Sequence, residues 1–529
     1  MSTIEFYTVA SLERVYKDVR PQNILRSYSC LLNETIYFQM VLFSKENCTV
    51  RLHCQADLPI ALYKQKYVKG SVAPNRADEY YETNRSFYPD PLCPFDGTLE
   101  LSAGEYCSVW AKVNCVKAGK QEIICIAKTE TETLEERINV LVSSTPLEKN
   151  DAILINWLHY DCICHKHGVA PFSAEFYDTL KEYIKLYTET GFNTLYVPLF
   201  TPPLDTAIGS ERLTIQTVAV KKHKGKYIFE FSRLKEFIDF AKAQGIKYFE
   251  FSHLFTQWGA KACPKIIADV NGTKKRIFFW NDKSYGKKYR RFLSAFLRAF
   301  SGFIKSNNLE KQCFLHISDE PWWRYESNYF RLSKFMRKHT EKLTIMDAVS
   351  TNKFYAKKAQ DLPIYSNLKE NLMNEKQAFL FYYACDSKFN NLTNRFFYMP
   401  LQRTRMLGYQ MSLKGALGFL HWGFNFYNAQ YSTREIDPWE ETDAGGNFPS
   451  GDSFIVYPKD NTVYPSIRLF TMQEAFSDYF ALEMLKKRYG KEFVRTFLME
   501  QGIEGLSIYP KSVEKHLEIR QKINEYLTD

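Results

Sequence analysis

From residue 152 to residue 422 the chain repeats one pattern: a short apolar run suited to a buried strand, then a longer stretch with helical period. The runs fall at 152–157, 194–198, 246–251, 312–317, 343–346, 362–365, 378–383 and 416–422. Helical periodicity occupies 174–190, 232–244, 285–306, 325–341 and 402–414. Strands that alternate with helices in this way build a parallel sheet. Eight is the strand number that closes such a sheet, so this segment predicts a (β/α)8 TIM barrel.

The flanks have other periods. Short alternating segments at 35–43, 49–54, 108–116, 121–127 and 137–142 predict an antiparallel β-sandwich. Tyr88-Pro89-Asp90-Pro91-Leu92-Cys93-Pro94 is expected to be an extended loop, because its prolines forbid interior ladder positions. Thr145-Pro146 marks a boundary, and beyond Tyr464 the helical spacing returns (Ile467, Phe470, Phe476, Tyr479, Leu482, Leu485). The expected division is a sandwich over 1–147, a barrel over 148–463, and C-terminal helices over 464–529 packed on the barrel. Two insertions decorate the barrel. One carries Thr201-Pro202-Pro203-Leu204-Asp205-Thr206 and a hairpin, 213–220 and 226–231 about a 221–225 turn; the other is the Trp-, Asn- and Gly-rich stretch 421–452. Loops of that length with so many aromatics are expected to form ordered pocket walls.

Composition narrows the function. The net charge of +10 is spread over short, scattered basic runs, the pattern of a solvated surface rather than a nucleic-acid face. No uncharged apolar stretch reaches the about 18 residues that span a bilayer, and residues 1–10 lack a secretory pattern. The chain is therefore expected to be cytoplasmic, with no membrane partner and its 12 cysteines reduced. His159, Asp161, Cys162, Cys164, His165 and His167 form the one metal-like cluster, but their spacing fits no zinc pattern. A strand end followed by a polar loop explains them, and neither metal nor cofactor is expected.

The fourth apolar run ends in Asp319-Glu320-Pro321-Trp322-Trp323. Asp78-Glu79 is also an acidic pair, in a polar stretch, so placement carries the signal. Carboxylates at the carboxyl end of a barrel strand stand where such enzymes keep their chemistry. Cleaving a glycosidic bond usually takes two carboxylates on opposite sides of it. Adjacent residues at a strand end diverge and suit another scheme. There Glu320 is acid and then base, while an ionised Asp319 orients a substrate acetamido group whose carbonyl oxygen is the nucleophile. An apolar wall, Trp322 or Trp258, would raise the pKa of Glu320. Candidate sugar-binding residues are Trp258, His253 and Gln257 after strand three, Asp205 in the proline-stiffened loop, and Tyr382 or Tyr383 after strand seven. Trp422, Asn425 and Tyr427 follow strand eight.

Several motifs together resemble bacterial proteins with domain of unknown function 4091, relatives of glycoside hydrolase family 123. They are Tyr88-Pro89-Asp90-Pro91-Leu92, Phe200 to Thr206, His253-Leu254-Phe255-Thr256-Gln257-Trp258-Gly259-Ala260, His316 to Pro321, and Tyr457-Pro458 leading to Ser466-Ile467-Arg468. The resemblance implies a sandwich followed by a barrel. It also implies a retaining exo-β-N-acetylgalactosaminidase-like activity on an oligosaccharide or glycoconjugate, with Asp319 as stabiliser and Glu320 as acid/base. Two alternatives stay open. One is a retaining glycosidase acting on a non-acetylated sugar through a protein nucleophile, Asp347 or Glu250. The other is a carbohydrate-binding barrel without catalysis.

Overall fold

The computed structural model describes residues 4–71, 85–340, 343–349, 359–366, 378–382 and 391–528. Asp78-Glu79 and Tyr383 lie outside the described residues. The first unit is a sandwich of two five-stranded sheets. Its neighbours are antiparallel with one exception, Ser27–Leu32, which runs parallel to Thr133–Pro146. Strand Glu34–Ser44 shows why its sequence is apolar almost throughout. Ile36, Phe38, Met40 and Leu42 point into the sandwich core, while Tyr37 points the other way and stacks on Phe470 at 4.3 Å. A strand covered on both faces loses the alternation of a half-exposed one.

The proline-rich segment differs from expectation. Phe87–Pro94 is a strand, not a loop, and it lies at the sheet edge, paired in the sheet only with Ile60–Lys69. Proline is tolerated there because one side of an edge strand needs no ladder donor. That side is covered instead by a single bridge from Pro91 to Ser466.

Eight parallel strands then close a barrel: Ile153–Asn156, Thr194–Val197, Tyr248–Phe251, Cys313–Leu315, Thr344–Val349, Leu362–Tyr365, Leu380–Tyr382 and Gly418–His421. Strand eight closes onto strand one with Gly418 opposite Ile153. A Cβ at Gly418 would stand 1.9 Å from the Ile153 carbonyl oxygen, so closure needs glycine there. Ile153, Ile155, Phe314, Ile364 and Leu420 fill the barrel. Leu154, Leu195, Phe249 and Leu315 pack outward against the helices. The insertion hairpin, Ala219–His223 with Lys226–Glu230, joins a second hairpin, Ile266–Val270 with Thr273–Phe278, in a four-stranded sheet. Among the described residues no helix is long and apolar enough to cross a membrane.

The C-terminal helices pack on more than the barrel. Helix Ile467–Tyr489 is buried on most sides, as a helix wedged between two layers must be. Against barrel helix Leu401–Lys414 it approaches so closely that a Cβ at Gly408 would meet the Ala475 carbonyl at 1.9 Å. Against the sandwich it places Phe470 and Gln473, the latter accepting from the Tyr37 hydroxyl at 2.5 Å. Helix Val513–Leu527 sends Arg520 to Glu34 of the sandwich at 2.7 Å. A further tie is made by the motif residues. Arg468 donates to both oxygens of Asp90, at 2.7 and 2.8 Å, and the Tyr457 hydroxyl adds a third bond at 2.5 Å. The Arg468–Asp90 pair is fully buried.

A buried charge stripped of its partner is costly, about 3–5 kcal/mol, whereas an exposed pair contributes about 1 kcal/mol or less. Asp90→Ala is expected to lower unfolding free energy by that larger amount in denaturant titration. Asp239→Ala, which breaks the exposed Lys235–Asp239 pair, is expected to leave it nearly unchanged.

Candidate active site

Strand four delivers the acidic pair. Phe314 lies inside the barrel and Leu315 and Ile317 outside, so the period of two turns His316 inward. Asp319 is 7% exposed and Glu320 is half-buried. At Glu320 the backbone takes a φ of 39°, a left-handed conformation costly for any residue with a Cβ. The same strain recurs around the mouth, at Asp205 (40°), Trp258 (59°), Ala260 (51°), Tyr431 (61°) and Ser432 (54°).

Hydrogen bonds hold these residues in place. Trp258 N–H donates to the Asp319 carbonyl at 2.8 Å, and the Ser318 hydroxyl donates to the Thr256 carbonyl at 2.9 Å. Asp205 N–H donates to Gln257 Oε1 at 2.8 Å, and Asp205 Oδ2 accepts from Tyr431 N–H at 2.9 Å. The Ser432 hydroxyl adds a bond to the Asp205 carbonyl at 2.7 Å. Behind this collar, buried Arg212 donates to the Leu204 carbonyl at 2.8 Å while forming two bonds to Asp161, at 2.8 and 2.7 Å. Strain concentrated in one connected ring of loops marks a site whose shape is over-determined by its surroundings.

The ring encloses a cleft lined by Asp319, Glu320, Trp258, Gln257, Asp205, Tyr382 and Trp422 among the expected residues, with Trp157, His159, Leu204 and Phe448 besides. Trp258 stacks on Trp322 with ring centroids 6.2 Å apart. Trp422 donates its indole N–H to Asp452 at 3.1 Å. The structure does not bring His253, Asn425 or Tyr427 to the cleft. His253 is buried beneath it, stacked on His316 at 4.2 Å. Asn425 braces the His159 backbone, accepting its N–H at 2.8 Å and donating to its carbonyl at 3.1 Å. Tyr427 donates to the Val456 carbonyl at 3.0 Å, deep in a separate aromatic cluster.

Sequence reasoning missed Trp157 and His159 as cleft residues, although they lie one and three residues beyond Asn156, the end of strand one, where barrel sites are built. The residues after His159 form helix Tyr160–His167 rather than a loop. Its polar groups go separate ways: Asp161 to Arg212, His165 to Glu435, and His167 to the Tyr183 hydroxyl and the Asp460 carbonyl.

Charge lies under the floor. His316 Nδ1 is 2.9 Å from Asp347 Oδ1, and Nε2 contacts Glu250. Glu250 also accepts the Trp157 indole N–H, at 3.0 Å to each oxygen. Asp347 also accepts the Ile317 N–H, at 3.0 and 3.2 Å, and the Tyr329 hydroxyl at 2.5 Å. Among the described residues His253, His316 and Asp347 are the one grouping with ligand atoms within 4.8 Å of each other, as a metal would need. Both His316 nitrogens already face carboxylates, so His316 itself has no lone pair to offer a metal.

Protonation follows from these surroundings. Burial, and then the adjacent Glu320, pushes the Asp319 carboxyl well above the usual carboxylate range. Burial works against a charged His316, yet Glu250 and Asp347 carry it up to about 10. His159 is held down at about 4 by burial and by Arg212. Its Nε2 therefore carries the hydrogen that reaches the Trp422 carbonyl at 2.9 Å, leaving Nδ1 as an acceptor. Burial pushes Asp205 up to about 6 against the Tyr431 N–H.

The Asp205 shift sets a pH window. A carboxyl whose folded value lies above its unfolded one costs stability when ionised. The cost is absent below pH of about 4, grows as pH rises, and is complete above about 6. Asp205→Asn is expected to be more stable than the parent by about 1–3 kcal/mol at pH 7.5, with the gap closing at pH 4 in denaturant unfolding. A gap of equal size at both pH values would contradict this.

The fold has a known counterpart. The family model described as glycoside hydrolase 123, catalytic domain, matches residues 157–485. A family 123 glycoside hydrolase from Clostridium perfringens, solved in work on glycolipid glycan hydrolysis, superposes with a TM-score of 0.75 at 13% identity, covering 99% of each chain. A family 5 mannosidase from Rhizomucor miehei reaches a TM-score of 0.34 at 13% identity, over 65% of this chain and 96% of that one. A β-glucuronidase from Parabacteroides merdae reaches 0.33 at 10% identity, over 89% and 52%. No curated protein matches by sequence. With the family model spanning more than half of its length, the chain belongs to the glycoside hydrolase 123 family.

Proposed function

We propose that this glycoside hydrolase is an exo-acting, retaining enzyme that removes a β-linked N-acetylhexosamine, of the N-acetylgalactosaminide kind, by substrate-assisted catalysis. One observation carries the reading. Asp319 lines the cleft, is buried, and leaves its Oδ1 without a hydrogen-bond partner. A buried acceptor of this kind costs free energy until a donor reaches it, and the N–H of a substrate acetamido group is such a donor.

The chemistry follows. Glu320 gives its proton to the leaving oxygen as the acetamido carbonyl oxygen attacks the anomeric carbon, forming a bicyclic oxazolinium ion. Asp319 accepts the N–H of that ion and stabilises its positive charge. Glu320, now a carboxylate, takes a proton from the water that opens the ring, and configuration is retained. The raised Asp319 carboxyl fits this sequence. In the empty cleft the pair holds a proton in common; the arriving N–H favours ionised Asp319, which leaves the proton on Glu320, where the leaving group needs it. The apolar floor of Trp157, Tyr382 and Trp422 supports a pocket for one terminal sugar.

A protein nucleophile finds less support. Glu250 and Asp347 are fully buried, and each is engaged by several donors. The test is a set of nitrophenyl glycosides with and without the 2-acetamido group. Acetamido substrates are expected to be cleaved and their plain counterparts spared, with inhibition by a thiazoline analogue of the cyclised sugar. Glu320→Gln is expected to lose about 100- to 10,000-fold in kcat/KM on substrates with poor leaving groups and far less on nitrophenyl ones. Equal cleavage of non-acetylated glycosides would sink the reading. Sugar binding without turnover, unchanged by Glu320→Gln, would favour a non-catalytic barrel.

A further inference from the structure

The strained mouth stands on a buried ion cluster whose charge state is legible from its hydrogen bonds. A neutral imidazole donates from one nitrogen only, yet both nitrogens of His316 face carboxylates, Nδ1 on Asp347 at 2.9 Å and Nε2 on Glu250. Either His316 is charged or one carboxyl holds a proton. The remaining partners decide. The Trp157 indole and the Ile317 backbone amide are donors without acceptor capacity, and they aim at Glu250 and Asp347. Burial pushes the Asp347 carboxyl upward, but each carboxyl is surrounded by hydrogens, which favours both carboxylates and leaves the positive charge on His316. The same conclusion follows from the rise of His316 to about 10 in the field of the two acids.

We propose that His316 is a positioning residue, held as a permanent imidazolium, and that the Glu250–His316–Asp347 cluster sets both the aim of the Asp319–Glu320 pair and its proton count. This rests on the roles assigned above to the pair. The aim is mechanical. Asp347 grips His316 and the Ile317 N–H, three and two residues ahead of Asp319, while Glu250 grips Trp157 of the cleft floor. The proton count is electrostatic. Two carboxylates and one imidazolium leave a net charge of −1 beneath Asp319, enough to disfavour two ionised carboxyls above it but not the single ionisation that catalysis requires.

The groups facing His316 are accounted for. His253 stacks on its ring, is kept neutral by burial and by His316 itself, and shares a 3.1 Å bond with the Tyr196 hydroxyl. Tyr329 reaches Asp347, and its hydroxyl is pushed further from ionisation by burial and by that acid. Asp319 is a further acid that feels the charge of His316.

The test is charge arithmetic. His316→Gln takes the cluster from −1 to −2 and is expected to move the whole bell-shaped pH profile of kcat/KM upward by about 1 unit. Glu250→Gln takes it to 0 and is expected to move the profile downward by a similar amount. The double variant restores −1 and is expected to restore the profile's position, even where kcat stays low. Packing defects alone would not produce opposite shifts that cancel. Should His316→Gln fail to fold, Glu250→Gln and a direct measurement on the parent enzyme suffice. Nitrogen-15 spectra of histidine-labelled protein are expected to show one imidazole doubly protonated and unchanged from pH 5 to pH 8, and still doubly protonated in Glu250→Gln with its resonances shifted. A His316 ring that titrates near its ordinary value, or single variants that shift the profile in the same direction, would overturn the proposal. The spectra need no substrate, so this inference can fail or stand separately from the activity proposed above.

Discussion

A closed parallel sheet imposes one condition on everything above it: all eight strands end at the same rim. Residues distant in sequence, Asp205, Trp258, Asp319, Tyr382 and Trp422, reach one cleft because the closure between Gly418 and Ile153 leaves them no other place to go. The loops then meet at close quarters. Their crowding is visible in the left-handed backbones at Asp205, Trp258, Glu320 and Tyr431, and the bonds between them hold that strain in place.

The interior adds a second condition, that charge placed out of water must be answered group by group. His316, Glu250 and Asp347 satisfy one another and take further donors from Trp157, Ile317 and Tyr329. Asp319 differs from them, buried at the cleft with one oxygen unanswered. A buried acceptor that lines a cleft and lacks a donor is a place where a ligand can contribute specificity. Whatever binds there gains most by bringing a donor.

The barrel was legible in sequence because strands buried on both faces print as unbroken apolar runs, 312–317 being one. The pair at its end was legible for the same reason, since two carboxyls after such a run have one place to emerge. What escaped lacked that contrast. Phe87–Pro94 carries three prolines and passes for a loop unless its edge position is known. Half of Thr273–Phe278 is lysine and arginine, because most of it faces water. Glu250 and Asp347 looked like possible nucleophiles on their strands. Only distance shows them closed around His316, which is 66 residues from one and 31 from the other. Asn425 and Tyr427 sat in an aromatic loop that does wall the cleft, through Trp422 and Phe448, but they themselves brace it from behind.

The clasp between Asp90 and Arg468 bears on how such a chain is inherited. Its two halves come from opposite ends of the polypeptide, and the helix that carries Arg468 has sandwich on one flank and barrel on the other. Recombination that exchanged the N-terminal layer for a foreign one would strand a guanidinium in the dark and lay bare the Phe470 flank. Gene shuffling therefore has no clean seam here. Layers joined by such a clasp are inherited together.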